Sequence, residues 1–352
     1  MKSTAIAHPN IALVKYWGKR NEQLKLPTVS SLSLTLDNFY SKTTVEFSKD
    51  LTEDTLVING KAVTGGRVLE RVKEHLDLIR KTASEKSKRT ILAKVMRKKP
   101  NENIVKDMFA KIVSENNFPA ASGIASSSSA FTALTLAASK AVGLEMDKKD
   151  ISIIARQGSG SACRSIFGGI VEWKKGKKDD GSDCFAEQIH DSNFWPELKM
   201  IVFILDAREK KIKSSDGMKI SVKTSPFYDE WTKASEKDLK EIKQSIAQKD
   251  FTKVGTIMET NCLRMHSLMI SSTPSLIYWK PETLIMIEKI NSLRENGIEC
   301  YFTIDAGANI MMLCLEKDVE RILGSIEGMP CIHDFMICSL GEGAKHTDDH
   351  MF

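Results

Sequence analysis

The sequence predicts an α+β fold in two domains, and three observations carry that prediction. At 352 residues the chain is longer than one hydrophobic core usually serves. Short strand-like runs, alternating or continuously apolar, interleave with segments of helical periodicity along its length. The composition also changes after a polar, glycine-containing stretch at 174–183, where the buried-type run Leu198–Leu205 begins. We therefore place a boundary near Pro196, giving domains at 1–196 and 197–352.

The first element, Ala5–Gly18, reads as a strand, a turn at His8-Pro9-Asn10, and an apolar stretch ending in KYWGKR. Trp usually needs burial, so this arrangement sets aromatic bulk inside and cationic heads at a cleft edge. The plainer reading, which these residues alone favour, is Trp17 as a core anchor whose lysine neighbours snorkel to water. Ser30–Leu36 alternates Ser/Thr with Leu, a half-buried strand, and Thr43–Phe47 and Thr55–Ile58 read as further strands. Asn59-Gly60 suits a tight hairpin turn. Val68–Ile79 has helical periodicity, and Ala110–Ser114 is a short strand leading into a Pro119 loop.

The stretch 119–142, PAASGIASSSSAFTALTLAASKAV, predicts a helix buried on most sides, with a serine run at its N-terminus. Hydroxyls and unpaired N–H groups at a helix start cap that helix or cradle an anion, and both readings stand. Asp150–Gln157 predicts a second helix, running into GSGSACRSIFGGIVEW at 158–173. There Ser159, Ser161 and Arg164 gather hydroxyls and a guanidinium near one point, an anionic pocket or a flexible turn before the strand Gly169–Trp173.

Beyond the boundary, Ser214–Met218 reads as a turn, Ser225–Lys243, Lys249–Ser267 and Glu282–Asn296 as helices. Tyr301–Ala306 is a strand that delivers Asp305 into Gly307-Ala308-Asn309, a frequent catalytic placement and also a common turn. Ile310–Leu315 comes next as a strand. The tail GEGAKHTDDHMF holds His346 and His350 at metal-binding spacing, yet reads first as a disordered, hydrophilic terminus.

Composition narrows the function. The 51 basic and 46 acidic residues give a formal +5, spread along the chain. The densest basic stretch, Lys86–Lys99, lacks interleaved aromatics and reads as a solvated face, so no nucleic-acid partner is expected. Seven cysteines without a CxxC pair argue for reduced thiols and a cytoplasmic location. No run approaches the roughly 18 apolar residues of a membrane span, and the N-terminus has no clear cleavage site, so neither membrane nor export is expected. GxxxxGK[ST], kinase catalytic-loop and HExxH signatures are absent, and no metal-ligating cluster is expected. What remains suits phosphoryl transfer: a phosphate cradle, an anionic pocket, a Tyr/Lys corner at 16–19 and a carboxylate at 305.

In order, HPNIALVKYWGKR, LPTVSSLSLTL, ENNFPAASGIASSSSA, GSGSACRSIFGGIVEW, SSDGMKISVKTSPFY, MHSLMISSTPSLIYW and FTIDAGANI closely resemble the mevalonate diphosphate decarboxylase family of the GHMP kinase superfamily. The resemblance runs from about Ala5 to Leu315. It implies a two-lobed fold, an N-terminal ribosomal-protein-S5-like lobe and a C-terminal ferredoxin-like lobe, with the active site in the cleft between them. It implies ATP and Mg2+, mevalonate 5-diphosphate as substrate, a homodimer, and decarboxylation to isopentenyl diphosphate through a 3-phosphorylated intermediate. By position it gives Asp305 the 3-hydroxyl, Lys19 the transferring phosphoryl and Arg164 the substrate carboxylate. Tyr16, Asn10, Ser159, Ser161 and Ser215 would shape the substrate pocket, and Gly123, Ser126, Ser127 and Ser128 would cradle the nucleotide. Asp216 stands where family members often carry Thr or Arg, Ala308 where Pro is usual, and the phosphate loop departs from PTAAGLASSA. Asp216 alone supports the alternative of a phosphomevalonate decarboxylase; a mevalonate 3-kinase ranks below it, and a non-catalytic binding protein would need degenerate catalytic positions.

Overall fold

Four sheets and the helices that cover them make up the computed structural model, which describes residues 2–94, 108–118, 126–208 and 210–352. The chain enters on β1 (Lys2–Ala7) and β2 (Asn10–Val14), forms a small hairpin from β3 (Lys19–Asn21) and β4 (Leu26–Pro27), and returns on β5 (Ser31–Thr35) and β6 (Ser41–Ser48). The hairpin β7 (Thr55–Ile58) and β8 (Lys61–Ala62) leads to α1 (Arg67–Lys94). Then come β9 (Phe109–Asn116), α2 (Ser126–Ala141), α3 (Lys148–Gly158), a 3-10 turn at Gly160–Ile166, β10 (Ile170–Trp173) and β11 (Ala186–His190). The second half holds β12 (Leu198–Ile204), α4 (Ser214–Thr224), α5 (Tyr228–Ala247), α6 (Phe251–Ile270) and α7 (Pro281–Glu295). It closes with β13 (Cys300–Thr303), β14 (Ile310–Leu315), α8 (Val319–Ile326), β15 (Asp334–Cys338) and β16 (Lys345–Thr347).

The largest sheet has the order β16-β1-β6-β9-β7-β8, antiparallel except where β7 runs beside β9. Asn59 and Gly60 both have positive φ, 47° and 75°, so the expected hairpin turn is of the primed type that matches strand twist. Helix α2 lies on β1 and β6, and its Ala133, Ala137, Ala138 and Ala141 let it sit close, as its nearly all-apolar sequence predicts. A second sheet has the order β11-β10-β5-β2. The third, β13-β14-β12-β15, is antiparallel, with one long crossover through α4–α7 and one through α8. That is the ferredoxin-like order expected of the C-terminal lobe.

The two halves share a core: Ile11, Leu13 and Leu34 pack in one cluster with Met200, Val202, Met258 and Met311. Among the described residues no helix is long and apolar enough to cross a membrane.

Three expectations need correction. The Ser/Thr–Leu alternation at β5 is not half-buried: both faces are covered, and its hydroxyl-bearing face lies inside as well. Ser214–Met218 opens α4 instead of forming a turn; Ser and Asp favour turns and helix starts alike, so composition does not separate them. The tail is ordered: β16 pairs with β1, Thr4 opposite Thr347, and covers what would otherwise be an open strand edge. His350 Nδ1 and Thr4 Oγ1 are 2.6 Å apart, and His346 Nδ1 lies 3.5 Å from Ser3 Oγ, so these histidines stitch the tail down. On the way, Gly341 donates to Thr35 O (2.8 Å) and accepts from Gly169 N (2.9 Å), binding the tail to the second sheet. The basic stretch Lys86–Lys99 begins within the last turns of α1, and its side chains lie outside the described residues.

Candidate active site

Strand β2 is buried throughout, and the chain continues straight into Lys15, itself 1% exposed. Its Nζ donates to Asp305 Oδ1 at 2.6 Å. A fully buried ammonium needs such a partner, because desolvation of an unpaired charge costs several kcal/mol. Asp305 lies just past β13 on a loop fixed from three sides. Gly307 N donates back to Asp305 O (2.7 Å), and Thr283 Oγ1 to Ala308 O (2.8 Å). Asn309 Oδ1 accepts from Leu205 N and Asp206 N at 2.7 and 2.9 Å, tying the loop to the end of β12.

Lys15 is the residue that sequence reasoning passed over in favour of Lys19. Gly18, at φ +102°, turns the chain away, and a Cβ there would collide with the Tyr228 hydroxyl. Beyond that turn Lys19 Nζ donates to Ser215 Oγ and Glu22 Oε2, both at 2.9 Å, and leaves Asp305 to Lys15. Trp17 is a core anchor, as one reading held, with Val29, Trp231 and Tyr278 in its cluster. The snorkelling half of that reading fails for Lys15, which points inward.

Arg164 is held by the 3-10 turn. Its Nε donates to Asn10 Oδ1 at 2.9 Å and its Nη1 to Ser31 Oγ at 2.5 Å, and the guanidinium lies 5.9 Å from the Trp173 ring centre. Burial pulls its pKa down, so only the high intrinsic basicity of arginine keeps it cationic. Asn10 stands behind Arg164 and not on the cleft wall; its Nδ2 donates to Ser161 O (3.1 Å) and Ser165 Oγ (2.7 Å). Tyr16 packs edge-on against Trp173 with ring centres 4.6 Å apart, and its hydroxyl finds no protein partner. Burial raises that phenol's pKa well above the usual value, so it remains a neutral donor at the cleft.

Lys15, Tyr16, Lys19, Arg164 and Asp305 line one cleft of about 1020 Å3, together with Ser126, Ser127, Ser159, Ser161, Ser215 and residues that sequence reading did not single out: Lys25, Arg67, Arg71 and Lys210. Ser127 Oγ and Ser159 Oγ are 3.1 Å apart, so the helix α2 start and the GSGSACRS segment meet there. Ser128 is turned inside, fully buried, with no partner for its hydroxyl, and does not reach the cleft. Gly123 lies outside the described residues.

Lys25 Nζ donates to the carbonyls of Gln157 and Gly158, and Arg71 Nη2 donates to Gly158 O at 3.0 Å. Burial, with Arg71 and Lys19 nearby, lowers the Lys25 pKa to about 8. Among the described lining residues eleven are Lys or Arg and four are Asp or Glu, so the cleft attracts anions. Asp216 is neutralised by Arg67 Nη1 at 3.0 Å, which also draws its pKa down, so it presents no unpaired negative charge to a phosphate. No group of three or more His, Cys, Asp or Glu among the described residues forms a metal site.

A family model described as the diphosphomevalonate decarboxylase-like N-terminal domain matches residues 7–186, and one described as the mevalonate 5-diphosphate decarboxylase C-terminal domain matches 200–347. The diphosphomevalonate decarboxylase of Debaryomyces hansenii is 35% identical over 330 residues, covering 92% of this chain and 82% of its own. Among solved structures, MDDEF in complex with MVAPP, AMPPCP and magnesium is 39% identical over 99% of each chain, with a TM-score of 0.87. The mevalonate diphosphate decarboxylase from Staphylococcus aureus is 35% identical, over 99% of this chain and 98% of its own, also with a TM-score of 0.87.

Proposed function

Because the chain belongs to the diphosphomevalonate decarboxylase family, we infer that this cleft converts mevalonate 5-diphosphate and ATP to isopentenyl diphosphate, ADP, phosphate and CO2. The observation that carries the reading is the Lys15–Asp305 ion pair on the wall of a cation-lined cleft. A tertiary alcohol is a poor nucleophile, and placing it against a fixed carboxylate removes much of the barrier. Asp305 orients the 3-hydroxyl and accepts its proton as the terminal phosphoryl of ATP arrives. Lys15 holds that carboxylate in place and sets positive charge beside the oxygens that become negative. The 3-phosphate then departs with its bonding electrons, and the C–C bond to the carboxylate breaks to give CO2 and the new double bond.

Arg164 takes the substrate carboxylate, with Asn10 and Ser31 fixing its fork. Tyr16, Ser159, Ser161, and Lys19 with Ser215 take the diphosphate; the free Tyr16 hydroxyl and the Lys19–Ser215 contact support this. Ser126, Ser127, Lys25 and Arg71 suit the nucleotide phosphates, since crowded cations with few carboxylates leave room for anions. Magnesium, bound with the nucleotide, supplies charge neutralisation on the phosphate oxygens.

The monophosphate alternative rested on Asp216, and its pairing with Arg67 removes that support. We also take the division near Pro196 as the domain boundary, supported by the third sheet's start at Leu198. A reducing, cytoplasmic location is supported by seven free cysteines, all buried. We also take the enzyme to be a homodimer, the assembly that membership of this family leads one to expect.

The test is coupled ADP release with CO2 capture on mevalonate, its 5-phosphate and its 5-diphosphate. The expected result is ADP, phosphate and CO2 in equal amounts, fastest with the diphosphate. Stoichiometric ADP without CO2 would instead show a kinase, and faster turnover of the monophosphate would reverse the substrate assignment.

A further inference from the structure

The inner face of α6 is apolar except at three adjacent positions. Val254, Met258, Met265 and Met269 pack inward, and among them sit Asn261, Cys262 and His266, each no more than 2% exposed. Most polar groups this deep are hydrogen-bonded, and the partners here are specific. Asn261 Oδ1 accepts the backbone N–H of Lys15 at 2.8 Å. Its Nδ2 donates to Asp238 Oδ2 at 2.9 Å, and Asp238 in turn takes Arg264 Nη1 at 2.8 and 2.9 Å. A donor on one side and a carboxylate on the other decide which end of the amide is oxygen.

Cys262 Sγ accepts Ile304 N–H at 3.1 Å, and His266 Nε2 lies 3.2 Å from the Ile304 carbonyl. A carbonyl only accepts, so Nε2 carries the proton. Burial holds the ring's pKa near 3, which keeps it a neutral donor. Ile304 is the residue before Asp305. Both members of the Lys15–Asp305 pair therefore hang by backbone bonds from neighbouring turns of one helix. Helix α6 lies against β2 and β13, the strands that lead into them, and approaches β13 so closely that a Cβ at Gly255 would strike the Tyr301 ring.

We propose that Asn261, Cys262 and His266 are positioning residues that set the distance between Lys15 and Asp305 across the two lobes. Two strand ends from separate sheets carry independent positional errors, and reactive geometry tolerates only about 0.5 Å. Fastening both to one rigid element removes most of that error. The inference rests on the decarboxylase reading for its kinetic consequence and on geometry alone for its structural one.

His266→Leu and Cys262→Ala are the variants to compare with the native enzyme. Each is expected to lower kcat about 10-fold or more with KM for both substrates within about twofold, because misplacement penalises turnover before binding. His266→Gln, whose amide N–H reaches the Nε2 position, should restore most of the loss. In an Asp305→Asn background, His266→Leu should cost nothing further, since it acts through that carboxylate. An undiminished kcat in both variants, or an equal added loss beside Asp305→Asn, overturns the proposal. Should His266→Leu not fold, Cys262→Ala decides alone. A crystal structure of the folded variant separates this inference from the function. A Lys15–Asp305 separation beyond about 4 Å, the ion-pair limit, supports positioning whatever reaction is catalysed. A native separation refutes it.

Discussion

Lys15 and Lys19 lie four residues apart and meet different partners, one a half-buried carboxylate and the other a hydroxyl and an exposed glutamate. The difference predicts different kinetics. Asp305→Asn and Lys15→Met should each lower kcat by about 10²-fold or more in a folded protein, because each removes charge that acts on the reacting oxygens. Lys19→Ala should act chiefly on KM for mevalonate 5-diphosphate, raising it about 10-fold, as loss of one charge-assisted contact does. Steady-state kinetics on the three variants checks this. A Lys15→Met enzyme with native kcat would return the catalytic role to Lys19.

At the scale of elements, the tail is the part whose behaviour comes from pairing and not from composition. Strand β16 covers the edge of β1, and Lys42 reaches Asp349 while Met351 N donates to Thr44 Oγ1 at 3.1 Å. A chain ending at residue 344 would expose the β1 edge and leave Thr4 without its histidine partner. Thermal unfolding of that truncation should fall by about 4 °C or more, with a greater tendency to aggregate. An unchanged midpoint would mean the strand contributes nothing to stability.

Across the whole molecule the formal charge is only +5, yet among the described residues the cleft concentrates eleven cations against four carboxylates. Field focusing of that kind speeds capture of anionic substrates and weakens with salt, whose screening length is about 10 Å at 0.1 M. The KM values should rise with ionic strength while kcat changes little. Lys25 adds a pH signature. Its pKa, lowered to about 8, means that the ammonium present at neutral pH is lost as pH climbs through that value. Nucleotide KM should therefore increase above pH 8, and Lys25→Met should abolish that increase. A salt-independent KM, or a pH limb untouched in Lys25→Met, would count against this account of binding.

Much of the fold was legible because burial imposes period. Ile310–Leu315 and Thr55–Ile58 have the boundaries that their apolar runs predict, and the α2 helix starts within its serine run. Two-residue strands such as β4 and β8 carry no period and leave no mark in the sequence. The tail reads as disordered because a polar strand at a sheet edge has the composition of a disordered one. Within the site, residue types alone establish which chemistry is present: the carboxylate at 305, the arginine at 164, the serines and the lysine-aromatic corner. Which lysine pairs with Asp305, that Ser128 faces the core, and that Arg67 pairs with Asp216 come from the packing of distant segments. The reason is physical. Residue type sets what a group can do, whereas charge pairing depends on distances of a few ångströms between segments up to 290 residues apart, which no local pattern records.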